Sequence, residues 1–308
     1  MLVIRHSLKV LRILSISFVL LSVFQAGPVL CASEPVGIFV SSRIRPYIEA
    51  LDGIQSKTNF TTQVVYLDEN PELARHYLKN GGLSAAVAIG PEATKLIYQK
   101  EFHIPVKMAI MTLDIEKLVK GTRPCGIDLR VPIAFQISRI AYRLGTGRTL
   151  AILYNPQENS DIIAQASKAC EEYGLNFIPL AVSGTDEILK KLKPNMNKIE
   201  IILFIPDSTV ISEKIVTHLT KEALLNGIAV VGYNHFFFEI GALLAFIIDY
   251  REVGIKGAEL LDDFIRKHSC FMTSPPVKTE WNQKVLRILK ERHHDRWADI
   301  PGVITDAH

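Results

Sequence analysis

Cysteine is scarce in this chain of 308 residues, which holds four cysteines at widely spaced positions. Beyond the amino-terminal segment three remain, Cys125, Cys170 and Cys270, and no two of them form a Cys-x-x-Cys pair. This pattern excludes a small disulfide-framework protein and a cysteine-based metal or redox site. One bridge among the three is compatible with an oxidising compartment, but the sequence does not select the pair.

Motifs for catalysis are also missing. The sequence has no Gly-x-Ser-x-Gly elbow, no Walker loop and no His-Glu-x-x-His helix. His235 and Glu239 have the spacing of two metal ligands on one helix, but the phenylalanines between them favour packing instead. We therefore expect a protein that is not an enzyme and that needs no metal or cofactor.

The body of the chain lacks an excess of either charge. The whole sequence has 35 basic and 32 acidic residues, a formal net charge of +3. Three of the basic residues, Arg5, Lys9 and Arg12, lie in the first 33 residues, which contain no acidic residue, so the remainder has 32 of each. Because phosphate binding requires a surplus of Lys and Arg on one face, we do not expect a nucleic-acid partner.

A hydrophobic run long enough to span a bilayer comfortably is absent. The longest run, Ile13–Phe24, follows the basic residues and precedes the small-residue segment Cys31-Ala32-Ser33. This is the pattern of a secretory signal peptide at residues 1–33, with cleavage near Ala32 or Ser33 and a periplasmic or extracytoplasmic product. A lipid anchor at Cys31 is the alternative, although Leu30 stands where lipoprotein signals resemble one another in having a small residue.

The chain does have a regular alternation of short apolar segments and longer amphipathic ones. Val36–Val40, Ala85–Ile89 and Leu150–Tyr154 carry no charge, as expected of strands buried on both faces of a parallel sheet with helices on each side. The alternation occurs twice, which predicts an α/β fold of two Rossmann-like lobes.

The boundaries of these lobes are predicted from a short pattern that occurs twice in the sequence. Asp128-Leu129-Arg130 and Asp249-Tyr250-Arg251 each follow a strand and precede a helix. We interpret both segments as points where the chain crosses between lobes. The N-terminal lobe then comprises residues 34–129 and 250–275, and the C-terminal lobe comprises residues 130–249 and 276–308.

The second half opens with Arg148–Asp161, interpreted as a strand, a turn at residues 155–158 and a helix opened by Asn159, Ser160 and Asp161. Asn159 or Ser160 can accept hydrogen bonds from the free N–H groups of that helix, predicted at Ile162–Tyr173. In open α/β sheets ligands also bind beyond the carboxyl ends of strands, so a ligand contact is the second interpretation. Both stay open from the sequence.

Short polar residues recur at the predicted strand ends. Hydroxyls and helix N-termini can receive a carboxylate, and an aspartate can receive an ammonium group, so such a set can clamp a small zwitterion. We expect Asp207→Ala to weaken binding while leaving the fold intact. We also expect Asn155, Asn159 and Ser160 to face Ser41 and Ser42 across one cleft. The predicted ligand-binding residues are Ser41, Ser42, Gly90, Asn155, Asn159, Ser160, Asp207, Ser208, Thr209 and Asp249.

A resemblance to a known family is carried by six stretches of the sequence, Val36–Tyr47, Ala88–Gly90, Cys125–Asp128, Leu153–Pro156 with Asn159-Ser160, Pro206–Thr209 and Gly241–Leu243. They resemble the substrate-binding proteins of ABC importers, specifically the group that includes the tryptophan/tyrosine-binding type. Family members commonly show Gly-Thr-Pro after the third strand, whereas here Gly90 is followed directly by Pro91, which weakens the case for an aromatic amino acid as ligand.

The resemblance implies a type I periplasmic-binding fold with three crossovers between lobes and a cleft that closes like a hinge. It also implies a monomer that binds an amino-acid-like small molecule and delivers it to a membrane permease. The predicted residues at the strand ends would then face the cleft. Two alternatives are a sensor that presents the same module to a membrane signalling partner and a secreted α/β enzyme, the latter disfavoured by the missing catalytic motifs.

Overall fold

The computed structural model describes residues 34–267 and 269–301. The predicted signal peptide, with Cys31, lies outside the described residues, as does most of the carboxyl-terminal tail. No helix within the described ranges is both long enough and apolar enough to cross a membrane.

Strands and helices alternate along the described chain, as the sequence predicts. The strands are β1 (Val36–Val40), β2 (Thr62–Tyr66), β3 (Ala85–Ile89), β4 (Val106–Thr112), β5 (Gly126–Asp128), β6 (Thr149–Tyr154), β7 (Asn176–Ala181), β8 (Ile201–Leu203), β9 (Ala229–Gly232), β10 (Leu244–Ile248), β11 (Met272–Thr273) and β12 (Val277–Trp281). The α-helices are α1 (Arg45–Lys57), α2 (Pro71–Asn80), α3 (Pro91–Ile97), α4 (Ile115–Leu118), α5 (Ile133–Leu144), α6 (Pro156–Glu172), α7 (Thr185–Leu192), α8 (Glu213–Leu225), α9 (His235–Glu239), α10 (Tyr250–Lys267), α11 (Gln283–Arg292) and α12 (His294–Trp297), and a 3-10 turn covers Lys193–Asn195.

The strands of residues 34–267 and 269–301 form two six-stranded sheets, ordered β11-β5-β4-β3-β1-β2 and β12-β10-β9-β8-β6-β7. Neighbouring strands run parallel, except that β12 pairs antiparallel with β10. We call the first sheet with its packed helices the first lobe, and the second sheet with its helices the second lobe. The predicted α/β fold of two Rossmann-like lobes is thereby confirmed.

Each sheet is covered on both faces, which explains the uncharged strands. In β1 the side chain of Ile38 packs into one apolar cluster of the first lobe, whereas its neighbour Phe39 packs into the cluster on the opposite face. In β6 the side chains of Ile152 and Leu153 divide between two clusters of the second lobe in the same way. Successive side chains of a strand point to opposite faces, so a strand buried on both sides must be apolar at every position.

The chain passes between the two sheets at three places. It leaves the first sheet after β5, through residues 129–132, and enters α5 of the second lobe. After β10 it returns through Asp249 and Tyr250, the first residue of α10, and α10 packs against α1 of the first lobe. After β11 it goes back through residues 274–276 into β12. We call these three connections the crossing segments.

Two glycines allow α10 to approach α1 closely. A Cβ atom on Gly53 would lie 2.1 Å from the carbonyl oxygen of Arg251, and one on Gly254 would lie 2.0 Å from that of Ala50. No side chain fits at such distances, so backbone meets backbone here. This contact fixes the returning helix on the first lobe and therefore fixes the position of the crossing segment at Asp249.

One disulfide joins Cys125 to Cys270, with their Cα atoms 5.4 Å apart. It connects the start of β5 to the residues just before the two-residue strand β11. The third cysteine, Cys170, is a buried thiol whose pKa is raised to about 11 by burial. The structure thus selects the pair that the sequence left open.

Two helices begin earlier than the sequence predicts. Helix α6 begins at Pro156 rather than near Ile162, because proline fits the first helical position and Asn155 Oδ1 accepts a hydrogen bond from Gln157 N at 2.9 Å. Asn155 is therefore the cap, and the prediction that Asn159 or Ser160 caps this helix is wrong. The apolar spacing in the sequence predicts a helix over Val253–Phe264, but α10 begins at Tyr250.

Candidate functional site

A cavity of about 190 Å³ lies where the crossing segments meet the carboxyl ends of the strands. We call it the hinge cavity. Its lining comes from the first lobe, the second lobe and two crossing segments, so a bound molecule would contact all of them. Most lining side chains are apolar. The lining residues are Leu113, Leu129, Arg130, Val131, Ile133, Gln136, Ile162, Ile205, Pro206, Tyr233, Asn234, Ile248 and Tyr250.

A more open space of about 590 Å³ adjoins the hinge cavity, because Arg130 and Pro206 line both. We call it the outer space. On one side it is lined by Asp114 and Lys117 of the first lobe, and on the other by the first turn of α6. The Nζ atom of Lys117 lies 3.0 Å from Oδ2 of Asp161, which links the two lobes across this space.

The guanidinium of Arg130 is held by a carboxylate of the first lobe. Its Nε and Nη2 atoms donate to the two oxygens of Asp114, each at 2.6 Å. Burial disfavours the charge of Arg130, but the carboxylate outweighs burial and raises the pKa of the guanidinium. The pair is planar and bidentate, so the arginine carries little uncompensated charge into the hinge cavity.

Asp128 anchors the crossing segment that carries Arg130. Its carboxylate accepts hydrogen bonds from the backbone N–H groups of Asp114, Ile115 and Arg130, at 3.2, 2.8 and 2.8 Å. Burial raises the pKa of this carboxyl despite the three N–H donors. The Asp-x-Arg spacing noticed in the sequence thus has a structural role, since the aspartate positions the turn and the arginine reaches the cavity.

Two tyrosines, Tyr233 and Tyr250, line the hinge cavity. Burial raises the pKa of Tyr233 to about 12, and it also raises the pKa of Tyr250 above its ordinary value. Both hydroxyls therefore keep their protons at neutral pH. A neutral phenol can donate one hydrogen bond and accept others, so these groups suit an uncharged polar partner.

Gln136 is a buried side chain of α5 with half of its amide unused. Its side chain is 4% exposed, and Nε2 donates to the carbonyl oxygen of Val131 at 3.0 Å. No described residue gives a hydrogen bond to its Oε1 atom, although Gln136 lines the hinge cavity. An unpaired buried acceptor costs about 1–3 kcal/mol, so this atom lowers the stability of the second lobe.

The predicted site residue Asp207 holds two turns of the second lobe together. Its Oδ2 atom accepts from the backbone N–H of Asn155 at 2.7 Å and from Nδ2 of Asn159 at 2.8 Å. Its Oδ1 atom accepts from the backbone N–H groups of Thr209 and Val210, at 3.0 and 3.1 Å. With 4% exposure, this carboxylate is engaged inside the protein.

The other predicted residues of the second lobe join the same network. Asn155 Nδ2 donates to Thr209 Oγ1 at 2.8 Å, and Ser208 donates its backbone N–H to Glu158 Oε2 at 3.0 Å. Ser160 Oγ donates to the carbonyl oxygen of Pro156. The structure therefore brings the six predicted residues of this lobe into one cluster, of which two, Asn159 and Ser160, line the outer space.

The predicted residues of the first lobe lie in a second cluster. Ser41 Oγ accepts from the backbone N–H of Ala93 at 3.0 Å, and Ser41 is 9% exposed. Gly90 has φ +92°, and a Cβ atom there would lie 2.7 Å from Ser41 Oγ. Ser42, partly exposed, follows Ser41 at the end of β1. The side chains found across the outer space from Asn159 and Ser160 are those of Asp114, Lys117 and Arg130.

Asp249 lies apart from both clusters, in a crossing segment. Its Oδ1 atom accepts from the backbone N–H groups of Arg251 and Glu252, at 3.1 and 3.2 Å, and Oδ2 is 3.3 Å from Lys278 Nζ. Burial opposes its charge, but these hydrogen bonds and the lysine together keep its pKa below the ordinary value. Asp249 caps α10.

Sequence reasoning missed five polar residues of the hinge cavity, which are Arg130, Gln136, Tyr233, Asn234 and Tyr250. Arg130 and Tyr250 belong to the two crossing segments that the sequence marks, and Tyr233 ends a predicted strand, so position alone could have found them. Gln136 carries no such signal, because a glutamine in an amphipathic helix resembles any solvent-facing position.

A family model described as "ABC transporter substrate binding protein" matches residues 68–266. Among the curated proteins, none matches this chain. Solved structures of the same fold are numerous.

Three solved structures illustrate that similarity. The ligand-free, open structure of CD0873, a substrate-binding protein with adhesive properties from Clostridium difficile, has a TM-score of 0.68 at 15% identity, over 83% of this chain and 94% of that one. The ABC domain in complex with L-Trp from Streptococcus pneumonia has a TM-score of 0.54 at 16% identity, over 83% and 94%. A mutant XylFII–LytSN complex has a TM-score of 0.57 at 13% identity, over 82% and 99%.

At these identities the structural similarity establishes the fold, which is the type I periplasmic-binding architecture. The family model adds sequence information over roughly two thirds of the chain, including Arg130, Gln136, Tyr233 and Tyr250. This chain belongs to the family of ABC transporter substrate-binding proteins.

Proposed function

We propose that this chain is the exported solute-binding protein of an ABC importer. It captures a small molecule, an amino acid or a similar compound, between its two lobes and delivers it to a membrane permease. The observation that carries the proposal is the hinge cavity, whose walls come from both lobes and from two crossing segments.

The position of the cavity couples binding to the arrangement of the lobes. A solute there touches Leu113 of the first lobe, Tyr233 of the second lobe and Arg130 between them. It therefore stabilises the arrangement in which all three walls are present, and a ligand shifts such an equilibrium by its difference in affinity for the two arrangements. The permease would distinguish the loaded protein from the empty one by that arrangement.

The disulfide supports an extracytoplasmic location. Disulfides such as Cys125–Cys270 persist in oxidising compartments and are rare in the cytosol. Proteins of this family act outside the cytoplasm, and they bind rather than transform their solutes. Export through the signal peptide at residues 1–33, with or without a lipid at Cys31, is part of the proposal.

A thermal-shift screen tests the proposal. A solute that binds the native state alone raises Tm in proportion to the logarithm of its concentration above Kd. We expect at least one compound from a library of amino acids, sugars, nucleosides, alcohols and small carboxylates to do so. A library without a single stabilising compound would remove the support for solute binding.

Two leucine variants locate the bound solute. Leu113, at 42% exposure, lines the hinge cavity, whereas Leu73, at 40% exposure, lies on α2 in the first lobe. Leu113→Trp should fill the cavity and abolish the ligand-induced rise in Tm, and Leu73→Trp should leave it unchanged. Equal responses of the two variants would place the solute elsewhere.

A ligand-sensing module is the second candidate. One structural neighbour of this chain was solved as a XylFII–LytSN complex, so a protein of this fold can bind a second, different protein. A membrane signalling partner in place of a permease would use the same closure. Neighbouring genes decide between the two, since a permease and an ATPase support import and a histidine kinase supports sensing.

A further inference from the structure

A second cavity lies at the opposite end of the first sheet from the hinge cavity. Its lining includes the start of β4, whereas Leu113 of the hinge cavity follows the end of that strand. The strand has seven residues, which corresponds to about 20 Å at the usual rise of a strand. We call this space of about 410 Å³ the basic cavity. Its lining residues are Tyr98, Gln99, Lys100, Ile104, Pro105, Val106, Lys107, Thr122, Arg123, Phe264 and Cys270.

The basic cavity has charged residues of one sign only. Lys100, Lys107 and Arg123 line it, and none of its lining residues is an aspartate or a glutamate. Among the described residues, no carboxylate forms an ion pair with any of these three cations. Glu101, the neighbour of Lys100 in the chain, contacts Arg75 instead. The lining therefore has a positive charge that a bound anion would compensate.

Lys107 is the cation whose position is best defined. It is partly buried, and its Nζ atom donates to the carbonyl oxygen of Phe102 at 2.6 Å. An ammonium group has three N–H donors, so two of them remain available to a ligand. Burial lowers the pKa of Lys107, and no carboxylate offsets that effect. An anion beside Lys107 would accept hydrogen bonds from it and favour its charged form.

Hydrogen bonds hold the wall of the basic cavity in place. The hydroxyl of Tyr98 donates to the carbonyl oxygen of Lys107 at 2.9 Å and accepts from the backbone N–H of Cys125 at 3.1 Å. Cys125 is bonded in turn to Cys270, which lines the cavity. The end of α3, the start of β4 and the segment before β5 are thereby joined. All three cations lie on or next to these joined segments, so little ordering of the backbone is needed for a ligand to bind.

We infer that the basic cavity binds a small anion with at least two negative charges, such as a phosphate ester or a di- or tricarboxylate. The ammonium of Lys107 binds one anionic group, and the exposed Lys100 and Arg123 supply further positive charge. The volume of about 410 Å³ lies within the ~300–1,000 Å³ of typical ligand pockets. Apolar lining residues such as Ile104 and Phe264 leave a surface for the carbon skeleton. This site is separate from the hinge cavity and does not depend on what the hinge cavity binds.

Calorimetric titration of the purified protein tests this inference. The probes are pyrophosphate and citrate, with acetate as the anion of single charge, all in about 0.15 M NaCl. We expect at least one of the two multivalent anions to bind with a Kd below about 1 mM, and acetate to bind at least about tenfold more weakly. The affinity should fall as NaCl is raised, because salt screens the exposed cations. If neither multivalent anion binds, the inference is overturned.

Three variants locate the bound anion. Lys107→Met removes the partly buried charge and should weaken binding at least about tenfold, because a charge-assisted hydrogen bond is lost. Arg123→Gln should weaken binding about threefold, since Arg123 is exposed. The matched control is Lys168→Gln, which removes an exposed cation on α6 of the second lobe and should leave the affinity unchanged.

The control decides between a site and a general effect of charge. If Lys168→Gln weakens binding as much as Arg123→Gln does, the anion responds to overall charge and the inference falls. Should Lys107→Met not fold, the comparison of Arg123→Gln with Lys168→Gln is sufficient, because both residues are exposed.

A further variant separates this inference from the proposed function. Leu113→Trp, which fills the hinge cavity, should leave the binding of pyrophosphate or citrate unchanged, because Leu113 lies at the other end of β4. Loss of anion binding in this variant would place the anion in the hinge cavity and overturn the inference. If an anion binds but no solute raises Tm through the hinge cavity, the proposed function falls alone. If a solute does so but no anion binds, this inference falls alone.

Discussion

In the second lobe the turns after β6 and β8 are joined by side-chain hydrogen bonds, whereas in the first lobe the turns after β1 and β3 meet by close packing. Asp207 binds four donors from the two second-lobe turns. The first-lobe turns share one such bond, from Ala93 N to Ser41 Oγ, and Gly90 brings its backbone against Ser41 and Tyr47.

This difference shows that similar topology does not make equivalent sites. A polar network uses up the hydrogen-bonding capacity of its members, while a glycine contact leaves no room for a side chain. In both lobes the residues predicted from their type and position mainly hold the turns together. The polar residues that line the hinge cavity lie instead at the crossing segments, after β9 and on α5.

The largest expected effect comes from breaking the second-lobe network. Asp207→Ala removes a carboxylate that accepts from four N–H donors, of which only Asn159 Nδ2 has a second acceptor, the carbonyl oxygen of Pro206. We expect it to lower the free energy of unfolding by about 3–5 kcal/mol. The measurement is chemical denaturation followed by circular dichroism. This differs from the expectation, drawn from the sequence, that the fold would stay intact.

Ser208→Ala is the matched control, because Ser208 belongs to the same turn but is exposed. Ser208→Ala should lower the free energy of unfolding by less than about 1 kcal/mol. If Asp207→Ala were as stable as Ser208→Ala, the network would not hold the turns, and Asp207 would return as a candidate ligand contact.

The second prediction concerns how each lobe holds its returning strand. In the first lobe β11 has two residues and is preceded by the disulfide Cys125–Cys270, whereas in the second lobe β12 has five residues paired with β10. The double variant Cys125→Ser with Cys270→Ser should have a free energy of unfolding lower by about 2–4 kcal/mol. This is the typical effect of removing a bridge that closes a long loop.

Reductant provides the check on this prediction. Dithiothreitol should lower Tm of the unsubstituted protein to that of the double variant and should leave the variant unchanged. A Tm that does not respond to reductant would mean that the bridge contributes nothing to stability. Cys170 is a buried free cysteine, so it does not contribute to the change in Tm that reductant causes.

The third prediction breaks the first-lobe packing. Gly90→Ala places a Cβ atom 2.7 Å from both Ser41 Oγ and the ring of Tyr47, at φ +92°. We expect the free energy of unfolding to fall by about 2–3 kcal/mol, because the clash and the unfavourable backbone conformation act together.

Gly121→Ala separates these two causes. Gly121 has φ +80°, but a Cβ atom there meets nothing within 4 Å. This variant should lose about 1 kcal/mol from backbone strain alone. Equal losses in the two variants would show that the close packing at Gly90 is not needed.

The smallest expected effect concerns the link between the lobes. Burial opposes ionisation of Asp161, but the hydrogen bond and charge of Lys117 outweigh it, so its pKa lies below the ordinary value of 3.8. Because the pKa of Asp161 is lower in the folded state, the Lys117–Asp161 pair contributes its full stability above about the ordinary value of 3.8. That stability is lost as the pH falls through the lowered pKa. Both side chains are about half exposed, so Lys117→Met should cost less than about 0.5 kcal/mol.

Lys190→Met is the comparison for this pair. Lys190 contacts Asp186 at 3.1 Å within α7, so it forms an ion pair of similar length inside one lobe. Both losses should vanish at about 1 M salt. If the Lys117 pair helps to close the cleft, Lys117→Met alone should also weaken solute binding slightly, and identical behaviour of the two variants would rule that out.

Much of the fold could be predicted from the sequence. Uncharged strands such as Val36–Val40 and Ala85–Ile89 have the predicted bounds in the structure, because full burial on both faces requires an apolar residue at every position. The start of α6 could not be placed, because Asn155 and Asn159 are equally good caps by type. The choice depended on Pro156 and on which amide reached Asp207.

The sequence by itself determined the α/β class, the repeated lobes, and the two Asp-x-Arg segments, since hydrophobic period and turn chemistry are local properties. Tertiary structure alone decided that Cys125 bonds to Cys270, that Asp207 accepts from four donors, and that Gln136 Oε1 meets no donor among the described residues. The physical reason is that hydrogen-bond satisfaction is a property of the neighbours a residue meets. Those neighbours are far apart in the chain and are brought together by the crossing of two sheets.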